Sequence, residues 1–290
     1  MYCEYFGFAR RPFELTPDPS FLFLGEAHRE GLATLVYGVQ SGKGFVLITG
    51  EVGTGKTTLL HALLGRLDSS TACAFLFNPR LEPLDFFHVL FDELGIETPC
   101  RTKAEYLLAL NKFLIRRLEK NEPTLLIVDE AQNLSPELLE EIRLLSNLET
   151  PTSKLIQIML VGQPELKDLL ARPELRQLRQ RIGLRHHLRP FDEKELSQYV
   201  EERLSRAGYT GRGLFKRGAI RELYAATGGT PRLVNAVCDS ALLLAYSREQ
   251  RMLDAALIRE VSREMELVPA DAGGEPGAVR PRRRLFGLFR

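Results

Sequence analysis

The stretch Gly50-Glu51-Val52-Gly53-Thr54-Gly55-Lys56-Thr57, followed by Thr58, fits G-x-x-x-x-G-K-[ST]. That spacing serves phosphate chemistry. Glycines let successive backbone N–H groups curl around phosphate oxygens, and a helix starting near Lys56 adds the positive end of its dipole. Lys56 is long enough to reach the β- and γ-phosphates of a nucleotide, and the Thr57 hydroxyl suits Mg2+. A glycine turn beside a surface lysine is the bland alternative, but the motif here follows an apolar run and precedes a helical one. The second signal is Leu125-Leu126-Ile127-Val128-Asp129-Glu130, an apolar strand ending in two acids. Open α/β sheets bind ligands at such strand ends. Asp129 is the candidate to hold Mg2+ through its water shell, and Glu130 the candidate to polarise an attacking water. Two acids after a strand often only cap a helix, yet the next helix start is at Ser135-Pro136-Glu137.

Three weaker signals follow. Leu155–Val161 reads as a strand, and Gln163 just beyond it is placed to touch a γ-phosphate or orient water; a plain loop before a helix is the alternative. Gly228-Gly229-Thr230-Pro231-Arg232 opens a helix, with Thr230 as N-cap and Pro231 at the first helical position. Arg232 then sits in the first turn, where the dipole disfavours a cation, which points to an external anion as its partner. Residues 172–189 hold six arginines, at 172, 176, 179, 181, 185 and 189. They read as an arginine finger for a neighbouring subunit, as a nucleic-acid stripe, or as solvated helix charge. His186 and His187 interrupt a strand-like run and lack metal-ligand spacing, so they are assigned to structure.

The elements that must position these residues alternate. Strand patterns at Phe45–Thr49, Ala72–Phe77, Thr124–Val128, Leu155–Val161 and Leu184–Leu188 are separated by helical patterns at 26–40, 56–67, 83–94, 103–120 and 136–148. Near-continuous apolar strands between helices predict a parallel sheet covered on both faces. After Arg189-Pro190-Phe191 the strand signals stop. Helices at about 193–207, 216–226, 231–247 and 254–266 predict a small all-α domain. The organisation expected is an aromatic and proline-rich arm over 1–25, a nucleotide-binding domain over 26–190, a helical lid over 191–268, and a linker with a basic-apolar tail over 269–290.

Composition bounds the rest. The chain has 290 residues, 44% hydrophobic and 27% charged, an ordinary globular balance of about two domains. The formal charge is +1, but residues 276–290 hold five arginines and no acid, so the first 275 residues carry 34 basic and 38 acidic side chains, a net of −4. That balance, without a helix-turn-helix pattern, disfavours nucleic acid as a partner. The four cysteines, Cys3, Cys73, Cys100 and Cys238, are scattered and read as reduced thiols of a cytoplasmic protein. No signal-peptide pattern and no run of about 18 apolar residues occurs. The tail, Arg280 to Arg290, places four arginines before Leu285, Phe286, Leu288 and Phe289. It reads either as a solvated end or as a docking peptide for an anionic membrane surface or a partner groove.

With these signals in this order, the chain resembles the ExeA/GspA-like AAA+ ATPases of bacterial envelope secretion loci, including the secretion ATPase of exosortase loci. The carrying residues are Tyr5-Phe6-Gly7, Pro12 to Pro19, His28-Arg29-Glu30, Gly50 to Thr58, Val128-Asp129-Glu130-Ala131-Gln132-Asn133-Leu134, Gly162 to Leu166, Leu178 to Ile182 and Gly229 to Arg232. The resemblance implies a P-loop AAA+ core with a helical lid, ATP and Mg2+ as cofactors, Gln163 as the sensor-1 residue and Arg232 as the sensor-2 arginine. It implies Arg181 or Arg179 as a finger acting in trans within a ring or other oligomer, and an arm around Phe13 to Pro17 that encloses the adenine together with the lid. Full-length secretion ATPases of this kind continue into a transmembrane helix and a peptidoglycan-binding domain; the absence of both here suggests a shorter, cytoplasmic form, peripheral at the inner membrane. The function expected is ATP-driven assembly or energising of an envelope secretion, export or pilus system. A DNA-associated AAA+ ATPase such as a transposition helper is the alternative, and a nucleotide-binding scaffold without turnover the third class, which an intact Glu130 opposes.

Overall fold

A computed structural model describes residues 1–14, 19–77 and 81–267. The arm positions 15–18 and the whole linker and tail reading from 269 onward lie outside the described residues. Five strands, β1 (Phe45–Gly50), β2 (Ala72–Leu76), β3 (Thr124–Val128), β4 (Gln157–Gly162) and β5 (Ile182–Leu188), form one sheet in the order β2-β3-β4-β1-β5. Every ladder is parallel. β1, β3 and β4 are buried along their whole length, which is why they read as near-continuous apolar runs, with polar Thr49, Thr124 and Gln157 only toward their ends. The fold is therefore the parallel, helix-flanked sheet that strand–helix alternation predicts.

Twelve α-helices are described. α1 (Tyr2–Phe6) lies in the arm, and α2 (Glu26–Gln40) and α3 (Lys56–Leu64) bracket β1. α4 (Pro83–Leu94), α5 (Lys103–Glu119), α6 (Pro136–Leu145), α7 (Glu165–Ala171) and α8 (Arg176–Arg181) complete the sheet layer. α9 (Glu193–Arg206), α10 (Arg217–Thr227), α11 (Pro231–Ser247) and α12 (Ala255–Glu264) follow, with no further strand among the described residues. Local chemistry starts several of them. Thr102 and Glu105 form a capping box on α5, Asp192 and Glu195 another on α9, and the Ser135 hydroxyl caps α6 ahead of Pro136. Thr230 occupies the N-cap position of α11, but its side chain makes no cap bond. The expected hydroxyl cap is thus absent, and close packing supports this helix start instead. Gly229 approaches so closely that a Cβ there would meet the Phe191 carbonyl oxygen at 1.9 Å.

The core has three parts. One face of the sheet packs Leu126, Val128 and Leu160 against α4 to α8, and the other packs Ile127, Met159 and Val161 against α2 and α3. The third lies among α9 to α12, where the arm contributes Tyr2, Phe6, Phe8, Phe13 and Phe21. Its apolar content is spent on packing: Arg203 donates to Pro12 O at 2.8 Å and Ala9 N–H to Ala207 O at 2.8 Å. His186 and His187 do not interrupt β5; they are paired within it, opposite Ile48 and Thr49 of β1. β5 is an edge strand with only partial cover, so polar residues are tolerated there and its start at Ile182 is not announced by hydrophobicity.

The two layers meet at Glu195. Its Oε1 accepts from Glu26 N–H at 2.6 Å, and its Oε2 accepts from Asp192 N–H at 2.9 Å and Arg189 Nη1 at 2.8 Å. Burial opposes ionisation of this carboxyl, but the N–H donors and Arg189 outweigh it and hold its pKa below the usual carboxylate range. Glu195→Ala removes three charge-assisted bonds, one of them the capping-box bond from Asp192 N–H, with an expected loss of about 2–3 kcal/mol in denaturant unfolding. A group whose folded pKa is depressed stabilises above its unfolded value near 4.3 and loses that contribution as pH falls through the folded one. The difference between wild type and Glu195→Ala should therefore shrink in acid below about pH 4.

Candidate nucleotide site

Register brings the sequence-predicted residues to one edge. Thr49 of β1 pairs with Gly162 of β4, and Val128 of β3 pairs with Leu160 of β4. The loop after β1, the acids after β3 and Gln163 after β4 consequently emerge side by side at the carboxyl ends of three adjacent strands. The loop Gly50–Gly55 turns through positive φ at Gly53 (80°) and Gly55 (97°), where a side chain would be strained. It delivers Lys56 into the first turn of α3. Thr54 is fully buried, and its hydroxyl donates to Glu51 O at 2.8 Å, closing the loop on itself.

Lys56 is 6% exposed, and its Nζ donates to the carbonyls of Gly50 at 2.9 Å and Glu51 at 3.1 Å. Burial pushes its pKa down, against the pull of Glu130 and Asp129. Burial likewise pushes Asp129 up. A divalent cation beside Asp129 and a phosphate beside Lys56 would each favour the charged form. Thr57 Oγ1 donates to Asp129 Oδ2 at 3.2 Å, which sets two hard oxygen donors together, as Mg2+ requires. Glu130 stands next to Asp129 with φ 52°, and its N–H donates to Asp129 Oδ1 at 2.9 Å. Gln163 Nε2 donates to Glu130 Oε2 at 3.0 Å. The glycine cradle, the buried lysine and the paired oxygens fit a nucleotide with Mg2+.

Arg232 reaches this site from α11. Its N–H donates to Gly53 O at 3.2 Å, and a Cβ on Gly53 would lie 2.7 Å from the Arg232 Cβ. A cavity of about 960 Å3 joins the two layers, lined among others by Phe21, His28, Lys56, Glu130, Tyr199 and Arg232. Of the arm, Glu14, Phe21, Leu22 and Phe23 reach it. Arg181 is not brought to this site. Its side chain donates to Ser146 Oγ and, at 3.4 Å, to Arg143 O at the end of α6. Arg179 donates to Ala171 O at 3.4 Å.

Two residues of the site had no role in the sequence reading. His28 is 3% exposed; its Nε2 donates to Thr54 O at 2.9 Å, and its ring packs 5.1 Å from that of Phe191. Burial holds its pKa below the usual histidine value, so it supports the loop as a neutral imidazole. Gln132 bonds both Glu130 and the backbone of Gln163. Both lie in segments that carry the family resemblance, which is the only signal the sequence offers for them.

The AAA domain family profile matches residues 39–170. General secretion pathway protein A of Aeromonas hydrophila is 43% identical over 249 residues, 86% of this chain. The chain spans 45% of that relative's length. Among solved structures, the Aeropyrum pernix ORC2 protein matches 88% of this chain and 71% of its own, at TM-score 0.63 and 20% identity. Drosophila ORC bound to DNA matches 89% and 65%, at TM-score 0.66 and 19% identity. The Thermotoga maritima RuvB Holliday junction branch migration motor matches 83% and 70%, at TM-score 0.53 and 18% identity. At such identities these likenesses speak for the fold alone. The chain is ExeA/GspA-like in sequence and carries an AAA domain on a parallel, helix-flanked P-loop fold.

Proposed function

We propose that this chain binds and hydrolyses ATP with Mg2+, as an oligomer, to assemble or energise a bacterial envelope secretion or export system. The 43% identity to General secretion pathway protein A carries the process; the grouping of Lys56, Thr57, Asp129, Glu130 and Gln163 supports the chemistry. When bound, ATP–Mg2+ supplies the phosphoanhydride to be cleaved and the cation that neutralises its charge. Gly50, Glu51, Val52, Gly53, Thr54 and Gly55 line the phosphates with backbone N–H groups. Lys56 exchanges its carbonyl partners for phosphate oxygens, and Thr58 extends the N-terminal turn of α3. Thr57 and Asp129 hold the cation, Glu130 takes the proton of the attacking water, Gln163 orients it, and Arg232 senses the phosphates from the lid. Arg181 acts on the next subunit's site. The protein works at the cytoplasmic face of the inner membrane, where the tail docks on an anionic surface or a secretion component. The alternative, a DNA-associated ATPase, gains no support from the fold likeness to DNA-binding proteins.

Thermal unfolding with and without ATP–Mg2+ tests the binding step. Ligand at 100 times its Kd stabilises by about 2.7 kcal/mol, so the wild type should show a clear upward shift in Tm. Lys56→Ala should show none, because a phosphate cluster in this buried loop loses its main cation. An equal shift in both proteins would remove Lys56 from the site.

A further inference from the structure

Gln132 lies two residues beyond Glu130, in the 3-10 turn Ala131–Asn133. Its Nε2 donates to Glu130 Oε2 at 2.6 Å, and its Oε1 accepts from the backbone N–H of Gln163 at 3.0 Å. The second bond decides the amide's orientation: an oxygen must face that N–H, so the NH2 group must face the carboxylate. Gln163 Nε2 donates to the same Oε2 at 3.0 Å. Both amides therefore grip one oxygen of Glu130, and among the described residues Oε1 has no protein partner. Space for this arrangement comes from Gly162, where a Cβ would sit 2.5 Å from Gln132 Oε1. The grip matters because Glu130 occupies the left-handed region, φ 52°, which a non-glycine residue holds only when its surroundings over-determine it.

We infer that Gln132 is a positioning residue for turnover: it locks one oxygen of Glu130 and ties that carboxylate to the end of β4, so that Glu130 and Gln163 move as one unit. This rests on the ATP-hydrolysis reading above. Gln132 touches no reacting atom; it acts by fixing the rotamer of the residue that does. A misplacement of about 1 Å at a reacting group costs on the order of 10² in rate.

The test uses the full chain and three variants. Gln132→Ala removes both bonds. Gln132→Glu keeps the shape and the acceptor for Gln163 N–H but cannot donate to Glu130. Glu130→Gln is the reference for loss of the base. Gln132→Ala and Gln132→Glu should both lower kcat by about 10–10²-fold, with KM and ATP affinity within about threefold of wild type. In the nucleotide-free protein, amide exchange at Gln163 should speed up in Gln132→Ala and stay at the wild-type rate in Gln132→Glu. That pair of results separates gripping the carboxylate from merely bracing the turn. Wild-type turnover in Gln132→Glu, with Glu130→Gln inactive, overturns the positioning role and leaves the ATPase reading standing. Parallel losses of kcat and ATP affinity in Gln132→Ala also overturn it, because they mark a residue that only maintains the fold. Unchanged exchange at Gln163 in Gln132→Ala removes the tie to β4. Normal turnover in Glu130→Gln removes the underlying reading, and this inference with it.

Discussion

Glu130→Gln is expected to bind ATP–Mg2+ within about threefold of wild-type affinity while turnover falls by about 10²–10⁴. The substitution keeps size, shape and the capacity of one oxygen to accept from Gln132 and Gln163, so the local network survives largely intact. What disappears is the basic carboxylate next to the proposed water. The strained φ of Glu130 is a property of the backbone and is unchanged. Phosphate release and equilibrium nucleotide binding on the same preparation check both halves. Turnover at the wild-type rate would take the base away from Glu130 and reassign the acid pair after β3 to cation binding alone.

A larger factor is expected from the neighbouring subunit. An arginine finger supplied in trans contributes about 10³–10⁵ in rate. Arg181 ends α8, and its described bonds run to Ser146 and Arg143 at the end of α6, away from the chain's own Lys56 and Glu130. Arg181→Ala should therefore abolish most turnover yet leave nucleotide binding in place. Turnover per wild-type subunit should rise with protein concentration, since a finger acting in trans would be supplied only on assembly. Mixing Arg181→Ala with Lys56→Ala should restore some activity: the first offers an intact site, the second an intact finger. Full activity of Arg181→Ala alone, with no restoration in the mixture, rejects Arg181 and sends the same experiment to Arg179.

The elements of this protein were legible where local chemistry repeats. β3 runs over Thr124–Val128 in pattern and in structure alike, because a strand buried on both faces is almost wholly apolar, and its one polar residue, the buried Thr124, is β-branched and at the strand's start. The helices at 26–40, 83–94 and 231–247 coincide with α2, α4 and α11, whose starts are marked by glycine or proline and whose apolar spacing is regular. Where pattern and structure part, the cause is pairing. β4 begins at Gln157 rather than Leu155: Leu155 is buried, but its N–H bonds Leu148 O outside the ladder. β5 begins at Ile182 and contains two histidines because an edge strand is only half covered. Hydrophobicity reports burial and is silent about which strand lies alongside.

The same division runs through the candidate site. By itself the sequence singled out the glycine-rich loop Gly50–Gly55 with Lys56 and Thr57, the acids Asp129 and Glu130, Gln163 and Arg232 as candidates, since each depends on a short motif with its own turn or strand end. Only the tertiary structure decided that β4 lies between β3 and β1 and so sets Gln163 against Glu130. It alone placed His28 under Thr54, Gln132 between Glu130 and the end of β4, and the arm's aromatic side chains inside the helical layer. These contacts join residues tens to hundreds of positions apart. Their strength comes from exclusion of water and from hydrogen-bond geometry between packed elements, and neither leaves a periodic trace in the residues on its own side of the contact.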